Sequence, residues 1–295
     1  MVPTRPLLLI VIATVLAPGL TAAMDLSIAV SSTAVADYLR PKEPAGGFKP
    51  ESYVFAQGQF FGGGTVDHSL EKTTFADVAK TLAVNLAKQN YFPARTAAEA
   101  DLLIMVHWGS TLIYEDPQKD FVLQGAQDAL GAFNAAQAAN GLADPSALNQ
   151  QLETMSMERE GVMDAVHRNA VLLGYERALQ RESKGMEASN EEISMINELS
   201  EERYFVILMA YDNHLRTKEH KSKLLWVTRL SVRSPGNNFT ESLPTLAKVG
   251  ADVFGQQHDN LVRVKTRREN VKLEEMQVIG TVDSPPPAKA DKPAK

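Results

Sequence analysis

With no cysteine in its 295 residues, this sequence offers six histidines, a glycine triplet and several acidic pairs as its chemical side chains. Gly62-Gly63-Gly64 lies between a predicted strand and a predicted helix, where a phosphate loop would sit. It lacks both the Lys-Ser/Thr of a P-loop and GxGxxG spacing, so the plainer reading is a glycine turn. Asp67, His68 and Glu71 cluster just beyond it. Asp67 and His68, joined by His107 from a later strand, are the candidate residues for a small ligand, a metal or a hydrolytic step. His107 and Trp108 are successive strand positions, so one faces the core and the other faces out, and a packed or capping histidine is the competing reading. His214 and His220 share one polar turn with Asp212 and Glu219, but neither HExxH nor any Cys/His spacing is present, and no metal site is assigned. There is no GxSxG, and Gly109-Ser110-Thr111 reads as a strand end. Glu115-Asp116, Glu191-Glu192, Glu201-Glu202 and Glu274-Glu275 are adjacent pairs whose side chains diverge, which makes solvated surfaces rather than acid/base dyads. No catalytic residue and no cofactor follow from these patterns.

Charge and composition narrow the class. The net charge is −6. Arg5 precedes an apolar segment at 7–17, then Pro18-Gly19 and the small-residue exit Thr21-Ala22-Ala23. That order is a secretory signal cleaved after Ala23, with an apolar part too short to span a bilayer. Without cysteine there is neither a lipid anchor nor a disulfide frame. The reading is therefore an exported protein, periplasmic or extracellular, with no transmembrane segment in the mature chain. Cleavage removes Arg5 and deepens the acidic excess, which argues against nucleic acid and against a polybasic membrane patch. The basic cluster of Arg263, Lys265, Arg267, Arg268 and Lys272 lacks the interleaved aromatics of a single-strand binder.

The elements that would position these groups centre on residues 204–233. Residues 204–211 form an unbroken apolar run that fits a strand buried on both faces. Residues 224–233 alternate, with Arg229 and Arg233 on the wetter side. Residues 24–50, with a short apolar piece at 26–30 followed by Pro41, Pro44, Gly46-Gly47 and Pro50, read as an extended lead-in. A strand at 52–61 follows. Thr74 is the expected N-cap of an amphipathic helix, with Asp77 in its first turn. A strand continues from Leu102 to Ile113. Residues 121–200 carry two apolar stripes, Leu123, Ala126, Leu130 and Phe133 on one and Leu148, Leu152 and Met155 on the next, which predicts an inserted helical hairpin. A short acidic helix ends at Ser200. A final helix carries Phe239, Leu243 and Leu246, with Pro244 tolerable only in its first turn.

The expected architecture is α+β: a mostly antiparallel sheet of about four strands, covered by amphipathic helices, with an inserted long α-helical hairpin. Its segments are a signal peptide at 1–23, the lead-in at 24–50, and an α+β domain at 51–258 with the insertion at 121–200. A charged extended segment at 259–283 and a disordered tail at 284–295 complete it. Ala100-Asp101-Leu102-Leu103-Ile104-Met105-Val106 after a helix, then Tyr211-Asp212 and Leu224-Leu225-Trp226, resemble exported bacterial envelope domains. Among these are uncharacterised exported proteins and the curli-assembly and penicillin-binding-protein-activator lipoproteins. The resemblance supplies no activity and no catalytic residues; the leading expectation is a non-enzymatic cell-envelope protein, an interaction or assembly module whose hairpin or sheet face binds another protein. The resemblance does not extend over 121–200, and the lipobox cysteine is missing. Leu123, Leu130, Phe133, Leu152 and Met155 are the expected contact residues, and the expected partner is another envelope protein or a second copy. The alternative is a hydrolase or small-ligand binder using the loop from Gly62 to His68.

Overall fold

The apolar run in the second half of the chain forms β5 (Arg203–Asp212), the middle member of a seven-stranded sheet. The computed structural model describes residues 25–267 apart from 39, 45, 63–66, 114–124, 126, 133–134, 136–145 and 186. The other strands are β1 (Asp25–Ala34), β2 (Glu51–Phe61), β3 (Tyr91–Pro93), β4 (Leu102–Ser110), β6 (Leu224–Arg233) and β7 (Val262–Arg267). Their order across the sheet is β3-β2-β4-β5-β6-β1-β7. β4, β5, β6, β1 and β7 pair antiparallel in turn, while β2 lies parallel to both β3 and β4. The parallel pair needs a crossover, which α1 (Ser69–Lys72) and α2 (Phe75–Leu86) supply.

The sheet is wider than expected because three strands lie where none was assigned, among them the short β3. The short apolar piece of the lead-in is β1, an interior strand held between β6 and β7. Its signal was weak because Ser27, Ser31, Ser32 and Thr33 interrupt the apolar residues, and its partners lie at the far end of the chain. The charged segment after residue 259 likewise contributes β7.

Helices cover both faces. On one, α2 and α7 (Phe239–Gly250) bury Val78, Leu82, Leu243 and Leu246 against Ile28, Ile104, Val206 and Leu230. α2 starts as its sequence dictates: Thr74 accepts from the Asp77 amide, and the Asp77 carboxylate accepts from the Thr74 amide in return. Pro244 sits one turn deeper in α7 than the first-turn position expected, so the Thr240 carbonyl loses its helical donor. On the other face, α3 (Ser146–Leu173), α4 (Glu176–Glu182) and α5 (Asn190–Ser200) place Val166, Ala170, Leu173, Met195 and Leu199 over Ala29, Phe205, Ile207 and Val227. The polar turn after β5 is itself helical: α6 (Asn213–Glu219), capped by Asp212 accepting from the Leu215 amide.

Of the expected hairpin, α3 is present as one long helix and residues 127–132 are helical, but a paired hairpin is not shown. Leu123 and Phe133 lie outside the described residues, as do Asp144 and Pro145. No helix among the described residues is long and apolar enough to cross a membrane.

Candidate functional site

Asp67 ends the loop that leads into α1. Its Oδ1 accepts from the Tyr204 hydroxyl (2.7 Å) and the Ser69 amide (3.1 Å), and Ser69 Oγ donates to its Oδ2 (2.9 Å). Ser69 Oγ in turn accepts from the Phe239 amide at the start of α7 (2.7 Å). Burial works against the Asp67 carboxylate, but the donors from Ser69 and Tyr204, with His68 nearby, hold its pKa below the usual value. A carboxylate that accepts from three donors and has a lowered pKa is a knot joining α1, β5 and α7, and it is a poor base. His68 follows in a left-handed conformation (φ 50°), with its ring exposed and its Nδ1 4.0 Å from Glu71 Oε2.

His107 is elsewhere. Trp108 faces α2, so His107 points to the opposite side of the sheet from the Asp67–Tyr204 knot. There β2 carries an irregularity between Gln57 and Phe60, and the Gln59 amide it frees donates to His107 Nδ1 (2.9 Å). Gly58 lets the imidazole lie flat across β2, since a methyl there would stand 2.7 Å from the ring. Burial lowers the pKa of His107, and with Nδ1 accepting, the neutral tautomer carries its proton on Nε2, which is buried with no partner among the described residues. The structure thus brings Asp67 beside His68 but does not bring His107 to either. Gly62 ends β2, and Gly63 and Gly64 lie outside the described residues.

Polar groups that sequence reasoning did not connect are more closely coupled. Asp101 Oδ2 accepts from the Ser52 amide (2.8 Å) and hydroxyl (2.7 Å), while its Oδ1 lies 3.2 Å from His214 Nε2. The carboxylate stands between serine and histidine, so the imidazole cannot take the serine proton. This is a clasp between β2, β4 and α6, and no nucleophile–base pair. Near the β2–β3 edge, the Arg40 guanidinium lies over the rings of Tyr91 (4.0 Å) and Phe48 (4.8 Å), and its Nη2 donates to the Lys49 carbonyl. Its Nε is 3.1 Å from Glu51 Oε2, which also accepts from the Tyr38 hydroxyl (2.5 Å). Burial raises the pKa of Glu51 despite that hydroxyl and Arg40. At the opposite edge Arg263 of β7 pairs with Glu191 and Glu198, and the Tyr175 hydroxyl donates to Glu198 (2.8 Å). Each of these networks fastens chain segments far apart in sequence, which is why spacing motifs gave no sign of them. No cluster of three metal-ligating side chains exists among the described residues.

The expected contact residues fall on the insertion. Leu130 is helical and 48% exposed. Leu152 and Met155 belong to α3, whose last turns lie on the sheet through Ala165, Val166, Asn169 and Ala170. Asn169 Nδ2 donates to the carbonyls of Leu112 (2.8 Å) and Leu199 (2.9 Å), which fixes that end of the helix. Toward its start Ala147, Gln150, Glu153 and Glu160 are all exposed, and Met163 is 42% exposed. Comparison with protein-family models and with curated proteins gives no match to this chain.

Proposed function

We propose that this chain is a non-enzymatic binding module of the bacterial cell envelope, exported by its N-terminal leader, that engages another protein through α3. The observation that carries the reading is the unequal seating of that helix. At 28 residues it is about 42 Å long at 1.5 Å per residue. Among the described residues of the helix the first buried one is Ala165, and every described side chain before Gly161 is exposed. A helix in water takes most of its stability from a packed face, and a partner engaging the stretch that carries Leu152 and Met155 would supply such packing. The chemistry of the other polar groups supports the same side: Asp67 already accepts from three donors, His107 stands on the other face, and the Ser52–Asp101–His214 order cannot activate the serine.

A photo-crosslinker at Glu153 in cells, with mass spectrometry of the adduct, tests the role. The expected result is one dominant protein adduct, lost when Leu152→Asp and Met155→Asp are introduced while the thermal melting curve is retained. An adduct pattern unchanged by those substitutions refutes the assignment. N-terminal mass spectrometry of secreted material, expected to begin at Met24, tests export separately.

A further inference from the structure

Where α4 and α5 meet the segment that leads into β7, they leave an open-mouthed cavity of about 300 Å³. Its apolar lining is the buried Met195 with the half-buried Ala178 and Leu261, all three packed into the core layer over Phe205, Ile207 and Val227. Its polar lining is Arg181 and Glu182 of α4, Glu191 of α5, and Asn260. Each of these four is fixed by part of its polar end and keeps another part unused. Arg181 Nη1 donates to Asn260 Oδ1, and Arg181 Nε donates to the Arg177 carbonyl (3.3 Å). Ser189 Oγ donates to Glu182 Oε2 (2.8 Å), and Glu191 Oε1 pairs with Arg263. Among the described residues Arg181 Nη2, Asn260 Nδ2, Glu182 Oε1 and Glu191 Oε2 make no hydrogen bond and no ion pair.

The Arg181–Asn260 bond therefore holds two donor groups together. Both carboxylates are anchored at the start of α5, Glu182 through its cap Ser189 and Glu191 within its first turn. An anion alone in this cavity would meet two carboxylates, and a cation alone would meet a guanidinium. A molecule carrying both charges on an apolar body suits every wall. Small-molecule pockets run from about 300 to about 1,000 Å³, so a cavity at the lower limit takes a compact ligand. We propose that it binds a free α-amino acid with an aliphatic side chain, of about the size of leucine. The carboxylate lies on Arg181 and Asn260, where a guanidinium gives charge-assisted bonds. The ammonium lies between Glu182 and Glu191, and the side chain rests on Met195, Leu261 and Ala178. None of these residues belongs to the stretch of α3 that carries Leu152 and Met155, and the site is independent of what that helix engages.

Calorimetric titration of the full mature chain with L-leucine, at near-neutral pH and constant ionic strength, tests this. One saturable site is expected. N-acetyl-leucine, without the ammonium, and leucine amide, without the carboxylate, each bind about tenfold or more weaker, the loss of a charge-assisted contact. Arg181→Gln weakens leucine by a similar factor and leaves leucine amide unchanged, because the amide has no carboxylate to lose. Glu191→Gln weakens leucine and leaves N-acetyl-leucine unchanged, and Arg263 keeps Glu198 in that variant. Should Glu191→Gln melt well below the parent, Glu182→Gln gives the same reading, since its amide oxygen still accepts from Ser189. The absence of a saturable site in the unmodified protein overturns the proposal. So does leucine amide binding as tightly as leucine, or leucine affinity unchanged in Arg181→Gln. Glycine binding as tightly as leucine is equally fatal, since it would leave Met195 and Leu261 without a role.

Discussion

Replacing Arg40 by methionine removes a cation from a nearly closed box while keeping most of its bulk. The Arg40 side chain is 2% exposed and that of Glu51 23%. Breaking a buried pair by deleting one partner costs about 3–5 kcal/mol. The partial exposure of Glu51 lowers that to about 2–3 kcal/mol, and loss of the guanidinium over Tyr91 adds about 1 kcal/mol to the cost. The expected destabilisation is therefore about 3–4 kcal/mol. Glu51→Gln keeps an acceptor for Tyr38 and removes the charge, so about 1–2 kcal/mol is expected. The double variant should be less unstable than the two effects added, by about 1 kcal/mol or more, because the two side chains share one interaction. Urea unfolding followed by tryptophan fluorescence reads this directly, since Trp226 lies 5.7 Å from Tyr91 between ring centroids. A loss below about 0.5 kcal/mol for Arg40→Met at an unchanged urea slope, or strict additivity in the double variant, refutes the view that this network pins residues 35–50 to the sheet.

Two further outcomes follow from local geometry. His107 has a folded pKa below its unfolded value, so its contribution is fully present above the unfolded pKa and is lost as pH falls through it. Unfolding free energies measured from above to below pH ~6.5 should fall more steeply in the unmodified protein than in His107→Gln, by at most about 1.4 kcal/mol per pH unit; equal slopes would show that the imidazole is not held neutral. Gly255→Ala places a methyl 1.8 Å from Tyr91 Oη at a residue with φ +69°. The left-handed backbone alone costs about 1–2 kcal/mol, so a melting temperature within a degree or two of the parent would contradict the close approach.

Local signals in the sequence carried well into three dimensions. The Thr74 cap needs only its own next three residues, and the apolar run of β5 needs only its own composition, so both were legible. α6 was readable too, because Asp212 stands three residues before the Leu215 amide it caps, but its seven residues were hidden in a polar stretch taken as a turn. β1 and β7 were not legible as sheet members, since their pairing is with each other and with β6 across most of the chain. The clasps at Asp101, Asp67 and Arg263 were invisible for the same reason: each joins residues tens to hundreds of positions apart. Asp67 and His68 were close because they are neighbours in sequence. His107 was separated from them by strand parity, and the free Gln59 amide that engages its ring arises from an irregularity in β2 that alternation alone does not announce.

The position of β1 has a consequence for how the molecule comes into being. Ser32 Oγ lies 2.9 Å from Thr228 Oγ1, a contact spanning 196 residues. The earliest strand therefore has no neighbour until the latest ones have been made, and a slit remains in the sheet until then. Such long loop closures slow folding. A chain emerging gradually from a ribosome or a translocation pore would carry its first strand unmatched throughout, and closure becomes a single late event that completes the barrier between the two helical layers.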